Sequence, residues 1–256
     1  MPTITPVKAF TDNYIWVLHQ HGEACAIDPG DAAPLTAFLR EHELRLTTVF
    51  VTHHHADHIG GLAALAAEWP ALRIIGPAHI DGVTEPVADG DMAEWHGQRF
   101  AVLAVPGHTL DHLAYHGADM LFCGDTLFAA GCGRLFEGSP AQMLASLARL
   151  ASLPRHTRIF PAHEYTLANL AFACAAEPDN QAVIRRRDEA QALRAKDLPT
   201  LPSQLGLELA TNPFLRTTSP TICQTAEQFS DRILTNELEI FTALRAWKDV
   251  FKPQHL

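Results

Sequence analysis

The sequence predicts an α/β fold that is followed by an all-helical C-terminal region. Up to residue 165, short apolar runs rich in β-branched residues alternate with segments of helical period. Beyond that point the strand-like runs stop, and helical periodicity is found at 167–176, 181–193 and 235–250. We therefore divide the chain into domains 1–165 and 166–256, and a chain of this length can bury a substantial core.

The predicted elements of the first domain follow one another in a regular order, with an opening meander of strands. The predicted strands are 7–10, 14–18, 24–27, 46–52, 72–75, 100–105, 113–115, 120–123 and 158–160. The predicted helices are 34–42, 62–69 and 140–150. The last helix has a clear start, because Ser139 is a preferred N-cap and Pro140 is favoured at the first helical position.

Residues 52–61, between a strand and a helix, carry the strongest chemical signal in the sequence. Four metal donors fall within six residues of this loop: His53, His55, Asp57 and His58. His53 and His55 point to one side, because alternate residues of an extended chain share a direction. Asp57 and His58 lie where the chain turns into the helix and address a different point. The loop can therefore serve two metals, whereas His54 points away and is interpreted as a packing or exposed residue.

Three later strands end in turns that each deliver a further candidate ligand: His108, Asp125 and His163. Each one alone is a weak signal, since a lone histidine after a strand is more often a surface or core residue. Together with the loop they supply five imidazoles and two carboxylates, which is enough for two metals if one carboxylate bridges them.

Charge and cysteine content restrict the class of protein. A formal net charge of −10 argues against general binding of nucleic acid or of an anionic membrane. The N-terminal residues lack the basic and apolar regions of a signal peptide, and no long uncharged apolar run occurs elsewhere. Five scattered cysteines without a C-x-x-C pair indicate reduced thiols. We expect a cytoplasmic protein and, in the absence of heptads, a monomer.

Two further features each have two interpretations. Asp28, which precedes Pro29 and Gly30, is either the hydrogen-bond partner of a ligand histidine or a simple turn residue. Arg245 and Lys248 lie on one face of the last predicted helix. They form either an ordinary solvated basic face or an anion site on an otherwise acidic protein.

Several motifs resemble those of the metallo-β-lactamase superfamily, and more narrowly those of the glyoxalase II family of hydroxyacylglutathione hydrolases. The superfamily-wide motifs are Thr-His-x-His-x-Asp-His at 52–58, Pro-Gly-His-Thr at 106–109, Gly-Asp-Thr at 124–126 and Pro-x-His-Glu-Tyr at 161–165. The narrower signals are Thr-Asp-Asn-Tyr at 11–14, Gly-Cys-Gly-Arg at 131–134, Asn-Pro-Phe-Leu-Arg at 212–216 and the basic helical tail. The resemblance runs nearly from end to end of the chain.

This resemblance implies an αββα sandwich with two divalent metals at one edge between its sheets, and a C-terminal helical domain that helps to bind glutathione. It assigns His53, His55 and His108 to the first metal. It assigns Asp57, His58 and His163 to the second, with Asp125 as the bridge. We expect zinc first, although imidazole and carboxylate ligands also suit iron or manganese.

In this family glutathione is held near the Gly-Cys-Gly loop, by the tyrosine after the last metal ligand and by an Arg-x-x-Lys pair in the final helix. By motif match the substrate-binding residues are Arg134, Tyr165, Arg245 and Lys248. Phe136 is counted with these substrate-binding residues, but it stands where some members have a tyrosine and carries no hydroxyl, and loss of that one contact should weaken binding by about 1 kcal/mol.

The implied reaction is hydrolysis of S-2-hydroxyacylglutathione, typically S-lactoylglutathione, to glutathione and D-lactate, the second step of methylglyoxal detoxification. Asp57 takes a second role as the residue that orients the attacking water. Three alternatives stay open at this point: a glutathione persulfide dioxygenase with one iron, an RNA-processing nuclease that shares the histidine motif, and a metal-binding domain without turnover. The acidic charge disfavours the nuclease.

Overall fold

The computed structural model describes residues 2–252 of the chain. These residues divide into two compact units: residues up to 104 together with 111–124, and residues 105–110 together with those from 125 onward. The first unit contains the histidine-rich loop, and the second contains the helices of the C-terminal region. Among the described helices, none has both the length and the apolar content that a membrane span requires.

The first unit is built mainly from strands. Its strands are Thr3–Ala9 (β1), Asn13–Gln20 (β2), Glu23–Ile27 (β3), Arg45–Phe50 (β4), Arg73–Gly76 (β5), Glu85–Pro86 (β6), Met92–Trp95 (β7), Gln98–Ala104 (β8), Leu113–Gly117 (β9) and Met120–Gly124 (β10). Its helices are Ala32–Glu41 (α1), Ala56–Ile59 (α2) and Leu62–Glu68 (α3). The sequence missed β7 and the single turn α2.

Strands β1 to β6 form one mixed sheet in sequence order. The first two pairings are antiparallel, as expected for a meander, whereas β3, β4, β5 and β6 pair in parallel. Ile27 at the end of β3 is level with Phe50 at the end of β4. The residues that follow these two strands therefore leave the sheet side by side. The histidine-rich residues 52–61, which we call the ligand loop, begin at this point.

Helices α1 and α3 cover one face of this sheet. Their buried leucines, Leu35, Leu39, Leu62 and Leu65, share a core with the inward residues of the sheet, including Val17 and Val49. Leucine spacing of three and four residues places these side chains on one helical face. The helices thus bury an apolar stripe against a sheet whose strands are apolar on both sides.

The other face of the sheet packs against the antiparallel strands β7 to β10. Phe50 of the first sheet lies 5.4 Å from Phe100 and 4.9 Å from Tyr115, measured between ring centroids. The indole of Trp95 donates to Thr47 Oγ1 at 3.1 Å. Aromatic side chains therefore fill the layer between the two sheets of this unit.

The second unit is mostly helical. Its strands are Leu127–Phe128 (β11), Gly131–Cys132 (β12), Arg158–Pro161 (β13) and Ser203–Gln204 (β14). Its helices are Pro140–Ala151 (α4), Thr166–Ala176 (α5), Gln181–Arg194 (α6), Leu205–Thr211 (α7), Pro220–Ser230 (α8) and Glu237–Val250 (α9). Ser139 caps α4 in a reciprocal capping box with Gln142. Helices α7 and α8, as well as the two-residue strands, were not predicted from sequence.

Candidate metal centre

The ligand loop follows β4 and runs in extended conformation into the short helix α2. His53 and His58 are fully buried, whereas His55, at the N-cap of α2, is half-buried. The ring centroid of His53 lies 4.7 Å from that of His55 and 4.0 Å from that of His58. The first unit therefore brings together the three histidines that the sequence predicted within this loop.

Asp28 holds two of these histidines by a chain of hydrogen bonds. Its Oδ1 accepts from the backbone N–H of Thr52 at 2.7 Å, and its Oδ2 accepts from Thr52 Oγ1 at 2.7 Å. The same Oδ2 lies 3.0 Å from His58 Nδ1, and Thr52 Oγ1 lies 3.0 Å from His53 Nδ1. Of the two interpretations of Asp28, the structure supports the partner of a ligand histidine.

This chain of bonds sets the proton positions of both imidazoles. A carboxylate only accepts, so Nδ1 of His58 carries the proton that is donated to Asp28. The Thr52 hydroxyl gives its own proton to Asp28, and its oxygen then accepts from Nδ1 of His53. Both rings consequently present a basic Nε2, which is the form that binds a metal.

The parallel register of β3 and β4 is the reason that Asp28 reaches Thr52. The N–H of Asp28 donates to the Phe50 carbonyl at 2.9 Å, which continues the ladder one residue beyond the strand. Asp28 itself adopts the left-handed conformation with φ of 52°, a region in which aspartate is favoured among non-glycine residues. The strand end thus turns its carboxylate towards the loop.

Glycines allow the turn after β3 and the loop after β4 to approach backbone to backbone. A Cβ at Gly30 would lie 1.8 Å from the carbonyl oxygen of Asp57, and a Cβ at Gly61 would lie 2.4 Å from that of Pro29. Gly61 also donates its N–H to the Pro29 carbonyl at 3.0 Å. Any side chain at either position would push Asp57 and its helix away from Asp28.

Asp57 is positioned by a residue that sequence reasoning did not assign. Asn13, which is buried, donates from Nδ2 to Asp57 Oδ2 at 3.0 Å. The same oxygen lies 3.5 Å from His58 Nε2, and the Asp57 side chain is 41% exposed. Asn13 belongs to the Thr-Asp-Asn-Tyr motif noted in the sequence, and this contact gives the motif a physical role.

His112 is a second residue that the sequence did not single out. It is fully buried, and its ring stacks on that of His53 at 4.6 Å with an interplanar angle of 19°. A flat imidazole against one face of His53 limits the rotation of the ligand ring. The only signal in the sequence is its place four residues after His108.

The second unit brings together the other three predicted ligands, two histidines and the carboxylate of Asp125. Asp125 Oδ2 lies 3.5 Å from His108 Nε2, and Asp125 Oδ1 lies 3.3 Å from His163 Nε2. All three residues are buried. Each oxygen of Asp125 thus faces a different imidazole, which is the arrangement that a bridging carboxylate needs.

The proton position of His108 is also set by its neighbour. Its Nδ1 lies 2.8 Å from the carbonyl oxygen of Arg134. A carbonyl can only accept, so Nδ1 carries the proton and Nε2, on the side of Asp125, is basic. Basic imidazole nitrogens together with carboxylates suit a divalent transition metal, so the donor set of each unit fits the predicted cofactor.

Two predicted substrate-binding residues lie beside these ligands on the second unit. Tyr165 stacks on His163 with centroids 4.7 Å apart and an interplanar angle of 5°, and Phe136 meets His108 edge to face at 5.2 Å. Both rings are exposed, by 36% and 61% respectively. Exposed aromatic rings next to the predicted metal ligands are available for contact with a small molecule.

The start of the Gly-Cys-Gly loop and the turn before it are held by two buried side-chain amides and one buried carboxylate. Asn212 Nδ2 donates to the carbonyls of Phe128 at 3.2 Å and Gly131 at 2.9 Å. Asn169 donates to the Ala129 carbonyl at 3.1 Å, and the Ala130 N–H donates to a Glu208 carboxylate oxygen at 2.8 Å. The Asn-Pro-Phe-Leu-Arg motif therefore acts on this loop through its first residue.

Arg245 supports the same loop from α9. It is buried, and its Nη1 donates to the Cys132 carbonyl at 2.9 Å, while its Nη2 pairs with Asp249 at 3.0 Å. The guanidinium also lies 5.1 Å from the Phe214 ring centroid. Arg245 is thus buried and engaged with the protein, whereas Arg134, which pairs with the same Asp249 at 3.3 Å, has a side chain that is 57% exposed.

Lys248, one turn further along α9, is half-buried. Its Nζ donates to the Ala168 carbonyl at 3.2 Å and lies 5.6 Å from the Phe172 ring centroid. Burial, followed by the nearby positive charge of Arg245, lowers the pKa of Lys248 to about 8. The ammonium is therefore present at neutral pH but is lost in mildly alkaline solution.

Comparison with known proteins identifies the fold class. A family model described as the metallo-β-lactamase superfamily matches residues 10–81 and 80–163. Among solved structures, the BLEG-1 B3 metallo-β-lactamase covers 84% of this chain and all of that chain with a TM-score of 0.63 at 21% identity. ETHE1 from Myxococcus xanthus covers 86% of this chain and 99% of that chain, with a TM-score of 0.58 at 26% identity. The predicted metallo-β-lactamase-type αββα fold with a helical C-terminal region is confirmed.

The C-terminal region and the full-length relatives narrow the assignment. A family model described as the C-terminus of hydroxyacylglutathione hydrolase matches residues 164–251. Proteins named hydroxyacylglutathione hydrolase in Vibrio cholerae and Photobacterium profundum are each 50% identical to this chain, over 98% of its length and all of theirs. The chain belongs to the hydroxyacylglutathione hydrolase family, and the two donor groups agree with the dinuclear type of centre found in its superfamily. The dioxygenase and nuclease alternatives are not favoured.

Proposed function

We propose that this protein hydrolyses S-2-hydroxyacylglutathione thioesters, with S-lactoylglutathione as the typical substrate, to glutathione and a 2-hydroxy acid such as D-lactate. The observation that carries this proposal is the 50% identity over the whole chain to enzymes of this name. The donor groups and the helical region of the chain agree with it. The reaction adds water across the C–S bond, so that the acyl carbon gains oxygen and the sulfur leaves.

The metal ligands of this proposal are those expected from the family. His53, His55 and His108 would hold one divalent ion, Asp57, His58 and His163 would hold the second, and Asp125 would serve as the shared ligand expected from the family. Zinc is the first candidate, and iron or manganese also suits these ligands. Support comes from the Nδ1 partners of His53, His58 and His108, which leave each Nε2 basic.

Divalent ions held by these residues would supply Lewis acidity, which would make water nucleophilic near neutral pH and polarise the thioester carbonyl. The side chains have separate tasks. Asp57, held by Asn13 and 41% exposed, orients the attacking water by hydrogen bonding. The thiol of glutathione has an ordinary pKa of about 8.5 and departs as thiolate without a strong general acid. This agrees with a site whose polar residues are mainly acceptors.

The cysteines of the chain do not act as nucleophiles in this mechanism. All five are free thiols. Burial raises the pKa of the Cys132 thiol, which lies beside the proposed glutathione site, so it stays protonated at neutral pH. The proposed mechanism therefore assigns the nucleophilic role to water and not to this thiol.

We assign the glutathione moiety to residues of the second unit. In the division proposed from the sequence, residues 1–165 form the catalytic domain and residues 166–256 form the substrate-binding domain. Arg134 and Lys248 supply positive charge for the carboxylates of the tripeptide, and Tyr165 and Phe136 supply exposed rings. Arg245 acts by holding the Gly-Cys-Gly loop in addition to its charge. We place the enzyme in the cytoplasm, because its thiols are free and glutathione is abundant in reducing compartments. We expect a monomer because the sequence contains no heptads.

The deciding experiment combines elemental analysis of the purified protein with hydrolysis of S-lactoylglutathione. We expect two divalent metals per chain and rapid thioester cleavage. A thioester of the same acyl group on N-acetylcysteamine, which lacks the glutathione carboxylates, should be hydrolysed with a much lower kcat/KM. Protein that contains two metals and leaves S-lactoylglutathione intact would overturn the proposal.

A further inference from the structure

A second group of side chains that could hold a metal ion lies within the first unit and has no part in the mechanism above. His54 Nδ1 lies 3.0 Å from Asp111 Oδ2, and His79 Nε2 lies 3.1 Å from the same oxygen. The three potential ligand atoms all lie within 4.8 Å of one another. As His58 does with Asp28, both imidazoles donate a proton to this carboxylate oxygen in the metal-free protein, so an ion bound by the three atoms would displace both protons.

The group draws on three separate segments of the chain. His54 belongs to the ligand loop, but its Nδ1 is directed to Asp111. His79 lies in the turn after β5, where the Ile80 N–H donates to the Pro77 carbonyl at 3.2 Å. Asp111 precedes β9. A metal ion bound by all three side chains would connect these segments within and beside the ligand loop.

The spacing of the donors suits a tetrahedral ion. With metal–nitrogen and metal–oxygen distances near 2.0–2.2 Å, two ligands of a tetrahedral zinc ion lie about 3.4 Å apart. The two contacts at 3.0 and 3.1 Å are close to this value. His79, whose side chain is 57% exposed, has room to adjust the third separation.

The environment of the carboxylate favours positive charge at this point. The Asp111 side chain is only 12% exposed, whereas those of His54 and His79 are 36% and 57% exposed. A largely buried carboxylate is costly unless donors or a cation compensate it. The partial exposure of the imidazoles gives an ion access from solvent and leaves a fourth position for water.

We propose that His54, His79 and Asp111 form an accessory site for a divalent transition metal such as zinc, separate from the two catalytic ions. A set of two imidazoles and one carboxylate is typical of zinc and also suits nickel or copper. The bound ion connects His54 of the ligand loop to the turn after β5 and to the segment before β9.

The test is zinc binding by the full-length protein at a series of buffered free zinc concentrations, measured as bound zinc per chain by elemental analysis. His79→Gln removes one ligand on an exposed turn, and His156→Gln replaces an exposed histidine elsewhere. We expect wild type and His156→Gln to bind one more equivalent than His79→Gln, whose accessory affinity falls about 100-fold. Asp111→Asn should reproduce the loss.

Zinc-binding curves of His79→Gln and Asp111→Asn that superimpose on that of wild type would overturn the accessory site. If Asp111→Asn does not fold, the comparison between His79→Gln and His156→Gln decides alone. Activity towards S-lactoylglutathione, measured on the same samples, reports the catalytic ions separately. A failure of the proposed thioesterase function would appear in the activity measurement, whereas a failure of the accessory site would appear in the zinc-binding curves.

Discussion

Replacement of Asp28 by asparagine tests the claim that this carboxylate sets the proton positions of the ligand imidazoles. The variant keeps the volume of the side chain and one acceptor for the Thr52 N–H. It replaces the oxygen that accepts from Thr52 Oγ1 at 2.7 Å and from His58 Nδ1 at 3.0 Å. The new amide donates to Nδ1 of His58, so the ring proton moves to Nε2, where the metal has to bind.

The expected effects follow from these contacts. Hydrogen bonds to a charged group contribute about 1.5–3 kcal/mol each, and reorientation of the amide recovers part of the two that are lost. We expect the metal-free protein to lose about 3 kcal/mol of its free energy of unfolding. Loss of a partner that orients a metal ligand lowers metal affinity by about 10–100-fold, which corresponds to about 1.4–2.7 kcal/mol.

Two measurements check these values for Asp28→Asn. Urea denaturation of the metal-free protein gives the change in the free energy of unfolding, and titration against a competing chelator gives the zinc affinity. Asp179→Asn, at an exposed aspartate of the second unit, is the matched control and should leave both unchanged. A folded Asp28→Asn protein with the zinc affinity of wild type would refute the proposed control of proton positions.

Three further predictions concern neighbouring contacts. Thr52→Val removes the acceptor for His53 Nδ1 and should lower zinc affinity about tenfold in a chelator titration, whereas Thr52→Ser should retain it. Asn13→Ala frees the side chain of Asp57, which is also a proposed metal ligand, and should lower kcat about 10–100-fold even at zinc concentrations that restore the full metal content; an unaltered kcat would exclude the positioning role. Because the pKa of Lys248 is about 8, its ammonium is present below this pH and lost above it. The KM for S-lactoylglutathione should therefore rise between pH 7 and pH 9, and Lys248→Arg, which stays charged, should show no such rise attributable to this residue.

The candidate metal donors could be proposed from sequence because their signals are local. Each follows an apolar strand or lies in the loop after one, and this rule brought out His53, His58, His108, Asp125 and His163 as candidates. The class of fold followed from the same alternation of strands and helices. Neither prediction required knowledge of how distant segments pair.

The roles of the supporting residues could not be decided from sequence because they depend on non-local register. Asp28 reaches the loop only through the parallel pairing of β3 with β4, and an aspartate before Pro-Gly also has the pattern of an ordinary turn. Asn13 was noted only within a family motif, and nothing in the sequence indicates that it contacts Asp57. Similarly, periodicity placed Arg245 on a basic face, but only packing of α9 shows that its guanidinium is buried against the Cys132 carbonyl.

The hydrogen bonds around Asp28 also bear on the transfer of this centre to other scaffolds. A graft of residues 52–61 alone would carry four donors, yet it would leave behind the aspartate, 24 residues before Thr52, that directs their protons. The smallest portable unit is therefore the pair of parallel strands β3 and β4 with both of the turns that follow them. In an engineered protein, the grafted loop would supply the donor side chains, but the position of the ring proton on His53 and His58 would depend on Asp28 after the neighbouring strand.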